Sequence, residues 1–167
     1  MKHFIRALGF AVAAGISIPA AAALAQSTSS RGQPQSAFSV ADFAKLHWLI
    51  GTWEATSTEE STIYQRYKQT SDSTIDISYY SDAQLAHQTG TGRLYLSVGR
   101  VYHTFGPGRW GATRISDEGI FLVPQVNARN TFSWRAQSPD SWTMTQRTGV
   151  SGHDRVIVYQ MKRIAGA

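Results

Sequence analysis

The sequence predicts an all-β fold: a single antiparallel up-and-down β-barrel of about 8–10 strands, with one short N-terminal helix closing one end. Three observations carry this. From Gly51 onward, short runs rich in Val, Ile, Thr and aromatic residues alternate apolar and polar positions with period two. Turn chemistry, such as Ser116-Asp117-Glu118-Gly119 and Ser138-Pro139-Asp140-Ser141, recurs about every eight to twelve residues. Helical spacing occurs in one stretch of the domain, just ahead of Gly51. Short connections make sequence neighbours into antiparallel hairpins rather than βαβ units, and closure into a barrel removes exposed strand edges.

Residues 1–25 are read as a signal peptide, set aside from the fold. Met1-Lys2-His3-Phe4-Ile5-Arg6 is a basic start, Ala7 to Ile18 is apolar, and Pro19 breaks the run. Ala23 and Ala25 supply the small residues of an A-x-A exit, which predicts cleavage between Ala25 and Gln26. The apolar run is short for a bilayer span. The expected location is periplasmic or secreted, with no stable membrane insertion after cleavage. Residues 26–37 begin QSTSSRGQPQS, lack apolar periodicity, and read as a disordered linker. Residues 38–164 form the predicted barrel.

Within the barrel domain, Ser39 and Asp42 suit a helix cap. Phe43, Leu46 and Leu49 follow at i, i+3 and i+6, predicting a helix of about two turns that ends before Gly51. Strands are predicted over 52–56, 62–69, 74–80, 93–98, 100–105, 110–115, 120–123, 131–136, 142–147 and 155–164.

Composition narrows the function. The 167-residue chain has a net charge of +5, but its arginines are scattered singly. A nucleic-acid binder usually carries a basic stripe or cluster, so no nucleic acid partner is expected. There is no cysteine, which excludes disulfides, a lipidated Cys anchor, and Cys-based metal or redox sites.

The most informative segment is Leu46-His47-Trp48-Leu49-Ile50-Gly51-Thr52-Trp53-Glu54. Gly51 lets the chain turn sharply from helix to strand. Trp53 can plug one barrel end. Arg163, on the last strand, has a planar guanidinium suited to stacking on that indole. Gly51, Trp53 and Arg163 are therefore assigned a structural role at the closed end. A short helix, Gly-x-Trp, an antiparallel meander and a final basic strand together resemble the calycin superfamily, which includes lipocalins, fatty-acid-binding proteins and nitrobindin-like barrels. The wording Trp-Leu-Ile-Gly-Thr-Trp-Glu is similar to small bacterial lipocalin-like domains of unknown function. The resemblance implies a barrel plugged at one end and able to take a small hydrophobic ligand from the other. Nitrobindin-like barrels hold haem through a histidine and carry a glycine-rich stretch after Gly-x-Trp. Here Glu54-Ala55-Thr56-Ser57 stands in that place, so haem is not expected and no cofactor is predicted.

Strand parity selects the candidate site. His103 shares a face with Val101 and Phe105; Gln65 and Tyr67 share one with Ile63; Tyr79 follows Ile75 and Ile77. Phe132 and Trp134 make another such face, and so do Trp142, Met144 and Gln146. Polar groups on otherwise apolar inner faces need partners once buried, and an apolar cavity with a few convergent polar groups is the usual make-up of a ligand site. His103, Tyr67, Tyr79, Gln65, Trp134 and Gln146 are therefore the candidate ligand-binding residues. No metal site is predicted, because His87, His103 and His153 lack ligand spacing on a helix face. No G-x-S-x-G, P-loop or H-E-x-x-H motif occurs, and no catalytic residue is assigned. The expected function is an exported barrel that binds a small hydrophobic or aromatic molecule. One alternative is an isomerase, lyase or hydrolase that uses His103 or a buried Tyr. Another is an envelope interaction protein with a filled barrel.

Overall fold

The computed structural model describes residues 37–150 and 153–164. The predicted signal peptide, its cleavage site and nearly all of the predicted linker lie outside the described residues. The domain opens with a helix α1, Val40–Ala44, which continues as a 3₁₀ turn, Lys45–Leu49. Ten strands follow: β1 Gly51–Thr56, β2 Ile63–Ser71, β3 Thr74–Tyr80, β4 Gln88–Ser97, β5 Arg100–Phe105, β6 Gly108–Ser116, β7 Gly119–Val126, β8 Asn130–Ser138, β9 Ser141–Val150 and β10 His153–Arg163. Each pairs antiparallel with its sequence neighbours, and β1 pairs with β10 to close the barrel. The all-β up-and-down barrel expected from the sequence is the fold observed.

The expected short helix of about two turns is present at one end, its second half wound as a 3₁₀ turn. Phe43, Leu46 and Leu49 are spaced by threes, which is the period of a 3₁₀ helix, and all three are fully buried over the barrel end. Its start is a capping box. The Ser39 hydroxyl accepts from the Asp42 amide at 3.1 Å, and the Asp42 carboxylate accepts from the Ser39 amide at 3.0 Å. The neighbouring Lys45 ammonium, with Ser39, holds the Asp42 carboxyl well below its ordinary range.

Several strands run longer than expected, and in two of them the reason is local. β4 begins at Gln88, five residues earlier than predicted, because Gly90 and Gly92 mask the β signal there. Their missing side chains are used. A Cβ on Gly90 would lie 3.0 Å from the Phe105 ring, and one on Gly92 would lie 3.3 Å from the Tyr79 ring. β7 runs on to Val126 through Pro124, but it pairs with β8 only from Gly119 to Leu122. Pro124 has no N–H to donate, so the β7–β8 ladder ends before it. The Trp110 indole reaches across from β6 instead and donates to the Asn130 carbonyl on β8 at 2.8 Å.

Strand direction gives the barrel two unlike ends. At one end α1 and its 3₁₀ turn meet the tight turns around Val98-Gly99, Asp117-Glu118 and Pro139-Asp140. At the other end lie the longer connections 57–62 and 81–87. Arg155 of β10 ties the first of these down through Glu60 at 2.6 Å and Glu59 at 3.4 Å. These contacts are exposed and contribute little stability.

Candidate functional site

The inner face fills from the helix end upward. Arg163 lies with its guanidinium carbon 4.2 Å from the centroid of the Trp53 ring. Its Nε and Nη2 both donate to the Pro139 carbonyl, at 3.0 and 2.9 Å, and Nη1 donates to the Ile50 carbonyl at 2.9 Å. Trp53 donates its indole N–H to the Leu49 carbonyl at 2.7 Å. Gly51 has φ +136, and a Cβ there would collide with Arg163 Nη1. Helix, first strand and last strand are thus locked at one point.

Above this plug sits an aromatic cluster. Trp142 packs against Trp48, Trp53, Tyr67 and Trp134, with ring centroids 5.6 to 5.9 Å apart. The contacts with Trp48, Trp53 and Tyr67 are edge-on, which suits the ring quadrupoles, and that with Trp134 is tilted. Higher still, His103 lies among Trp110, Phe132 and Trp134 at 5.4, 5.9 and 5.2 Å. Toward the mouth, the Tyr79 and Phe105 rings stand 4.7 Å apart over Gly90 and Gly92.

The six candidate residues from the sequence all lie on this inner face. Tyr67 donates to Gln65 Oε1 at 2.6 Å, and its ring contacts Trp134 at 6.2 Å. Trp134 in turn contacts His103. Tyr79 stands directly across from Gln65 in the β2–β3 ladder. Gln146 is half-buried opposite Phe132 and Ile157. Trp110 was missed as a neighbour of His103. The two-residue Gly106-Pro107 turn sets Phe105 opposite Gly108 and so His103 opposite Trp110, and that register could have been counted from the turn.

Several polar atoms here are buried and unmet. Gln65 Nε2, His103 Nδ1, Asn130 Nδ2, Trp134 Nε1 and Trp142 Nε1 have no hydrogen-bond partner among the described residues. Buried polar groups without partners are rare, and each asks for an explanation. Burial raises the Tyr67 and Tyr79 phenols well above their ordinary range, so both stay protonated donors. Among the described residues, no three His, Cys, Asp or Glu side chains gather to hold a metal ion.

Burial also pushes the His103 imidazole down to about 4, against a backbone hydrogen bond at Arg93 that raises it. The ring is therefore neutral at physiological pH. The unfolded chain takes up this proton near 6.5 and the folded chain only near 4. Between those values the unfolded state binds more protons, so stability falls as pH falls from 6.5 to 4 and levels off below. The full loss is about 3 kcal/mol. Asp42 and Asp82, whose folded pKa values are lowered, act at lower pH. Urea unfolding at stepped pH should show this slope in the native chain and lack it in His103→Gln. A slope that survives in the variant would assign it to other groups.

No family model matches the chain, and no curated protein matches it. Among solved structures, a redesigned β-barrel is 15% identical, with a TM-score of 0.37, covering 70% of this chain and 92% of its own. EF1p2_mFAP2b bound to DFHBI is 15% identical, with a TM-score of 0.38, covering 75% of this chain and 100% of its own. At that level of likeness neither bears on the chemistry of this interior.

Proposed function

We propose that this chain is an exported, calycin-like barrel that binds a small, uncharged, largely aromatic molecule between its Trp-filled base and its far end. The observation that carries the reading is the pair of unmet atoms on buried side chains. Gln65 Nε2 is a free donor and His103 Nδ1 has no partner, both within an aromatic interior. A neutral ligand bearing an acceptor and a donor would satisfy them, and aromatic walls would supply the area. Both atoms are closed off from water, so rim side chains such as Phe105 would have to turn aside to admit a ligand. The half-exposed position of Phe105 at the rim leaves it free to do so.

The alternative of a filled barrel with a working outer surface is favoured by one observation, the complete burial of Trp53, Trp134, Trp142 and Tyr67 inside. Acid–base catalysis fits less well. A base whose pKa is held near 4 and phenols held above their usual range are poorly matched to neutral pH.

Native mass spectrometry of the full chain purified from its own envelope should detect a bound small molecule. His103→Leu should lose it with little change in melting temperature, since the variant gives up the hydrogen bond at Arg93 but also removes an unmet buried nitrogen. If the native chain carries no adduct and small uncharged aromatics leave its melting temperature unmoved, the filled-barrel reading replaces this one.

A further inference from the structure

A second feature lies on the outer wall, near the helix end, away from the interior. A hollow of about 170 Å³ opens across β6, β7 and β8, lined by Arg114, Ser116, Glu118, Gly119, Ser133 and Arg135, with Ile120 and Trp134 behind. The register explains its shape. Arg114 and Ser133 flank Phe121 of β7, and Ser116 and Arg135 flank Gly119 one step along. Gly119 offers no side chain, so the space over the middle strand stays open between two arginines. A Cβ at Gly119 would strike the Trp134 carbonyl.

Two further observations point to a ligand. A β-bulge falls between Ala112 and Arg114, so Thr113 and Arg114 are both exposed in succession. Bulges of this kind re-aim a side chain, here Arg114. Of the ten described arginines, 66, 93, 109, 147, 155 and 163 each meet a carboxylate, a carbonyl, a hydroxyl or a ring, while Arg100 and Arg129, elsewhere on the surface, do not. The Arg114 and Arg135 side chains likewise have no hydrogen bond, ion pair or ring contact among the described residues, and these two line one hollow. Glu118 lines the same hollow and pairs with neither.

We propose that this hollow binds a tetrahedral oxyanion, a phosphate or sulfate group, held between Arg114 and Arg135. Two guanidinium forks match such an anion with charge-assisted hydrogen bonds. Ser116 Oγ accepts from the Glu118 amide at 3.3 Å and keeps its own O–H to donate. Ser133 supplies a second hydroxyl. The volume suits an oxyanion and is below that of a drug-sized ligand site. Glu118 opposes the anion and sets its affinity low.

Titration of the full chain with inorganic phosphate at constant ionic strength, followed by calorimetry, tests this. Binding should saturate. The double variant Arg114→Gln, Arg135→Gln should weaken it at least about tenfold, and Glu118→Gln should tighten it several-fold. All three side chains are exposed, so the core is untouched. Phenyl phosphate separates two sources of the group. Binding as tight as phosphate assigns the site to a phosphoryl group on a larger molecule, and much weaker binding assigns it to the free ion. A response that does not saturate, that chloride reproduces, or that the double variant leaves unchanged overturns the proposal.

Discussion

Replacing Arg163 with Ala should destabilise the barrel by about 3 kcal/mol and lower its melting temperature by about 10 °C. The change removes three hydrogen bonds to the Pro139 and Ile50 carbonyls and the stack on Trp53. Hydrogen bonds from a charged donor are stronger than neutral ones, and a partly desolvated cation–π contact adds about 1 kcal/mol. The ion pair with Asp140 adds little, because that carboxylate is mostly exposed. Arg163→Lys should recover only a small part, since an ammonium cannot fork to two carbonyls and stack at once. Gly51→Ala supplies the coupled test. In the native chain its Cβ meets Arg163 Nη1 at a backbone φ of +136. In the Arg163→Ala background only the backbone strain is left, so the two losses should sum to more than the double variant shows. Calorimetric melting of the four chains measures this. Strict additivity would mean that Arg163 and Gly51 do not act as one lock.

Trp142→Ala should cost more, about 4–5 kcal/mol, the upper range for deleting a buried aromatic ring. Trp142 is fully buried and touches four other aromatic side chains. It links the helix end, through Trp48 and Trp53, to the candidate site, through Tyr67 and Trp134. Its indole N–H has no partner. Trp142→Phe therefore loses volume but also removes an unmet buried donor, and should cost only about 1–2 kcal/mol. Urea unfolding distinguishes the two variants. If Phe costs as much as Ala, the indole nitrogen is bonded after all, most simply to buried water.

Much of the fold was legible because strands and turns are local. Alternation of two marks a strand facing core and solvent, and the Ser-Pro-Asp-Ser and Asp-Glu-Gly segments mark where it reverses. Parity also put His103, Tyr67, Gln65 and Trp134 on the inner face. Phe43, Leu46 and Leu49 mark the short helix correctly, and their spacing by threes is that of its 3₁₀ half. The exceptions have physical reasons. Gly90 and Gly92 read as a break in β4, yet they are there to give the Tyr79 and Phe105 rings room. Trp110 escaped notice because its neighbour is set by the hairpin register and not by its own sequence context.

Local chemistry by itself determined the all-β class, the short leading helix, the hairpin order and which residues face inward, since each depends on backbone periodicity over a few residues. Only the tertiary structure decided what meets what across the closed barrel. The Arg163 fork on Pro139 and Ile50 spans 24 and 113 residues of chain. The unmet His103 and Gln65 atoms, and the hollow between Arg114 and Arg135, likewise arise from strands that closure and register bring side by side. Side-chain parity repeats every two residues in any register, so it places a residue inside or outside but leaves its partners to the packing of the whole.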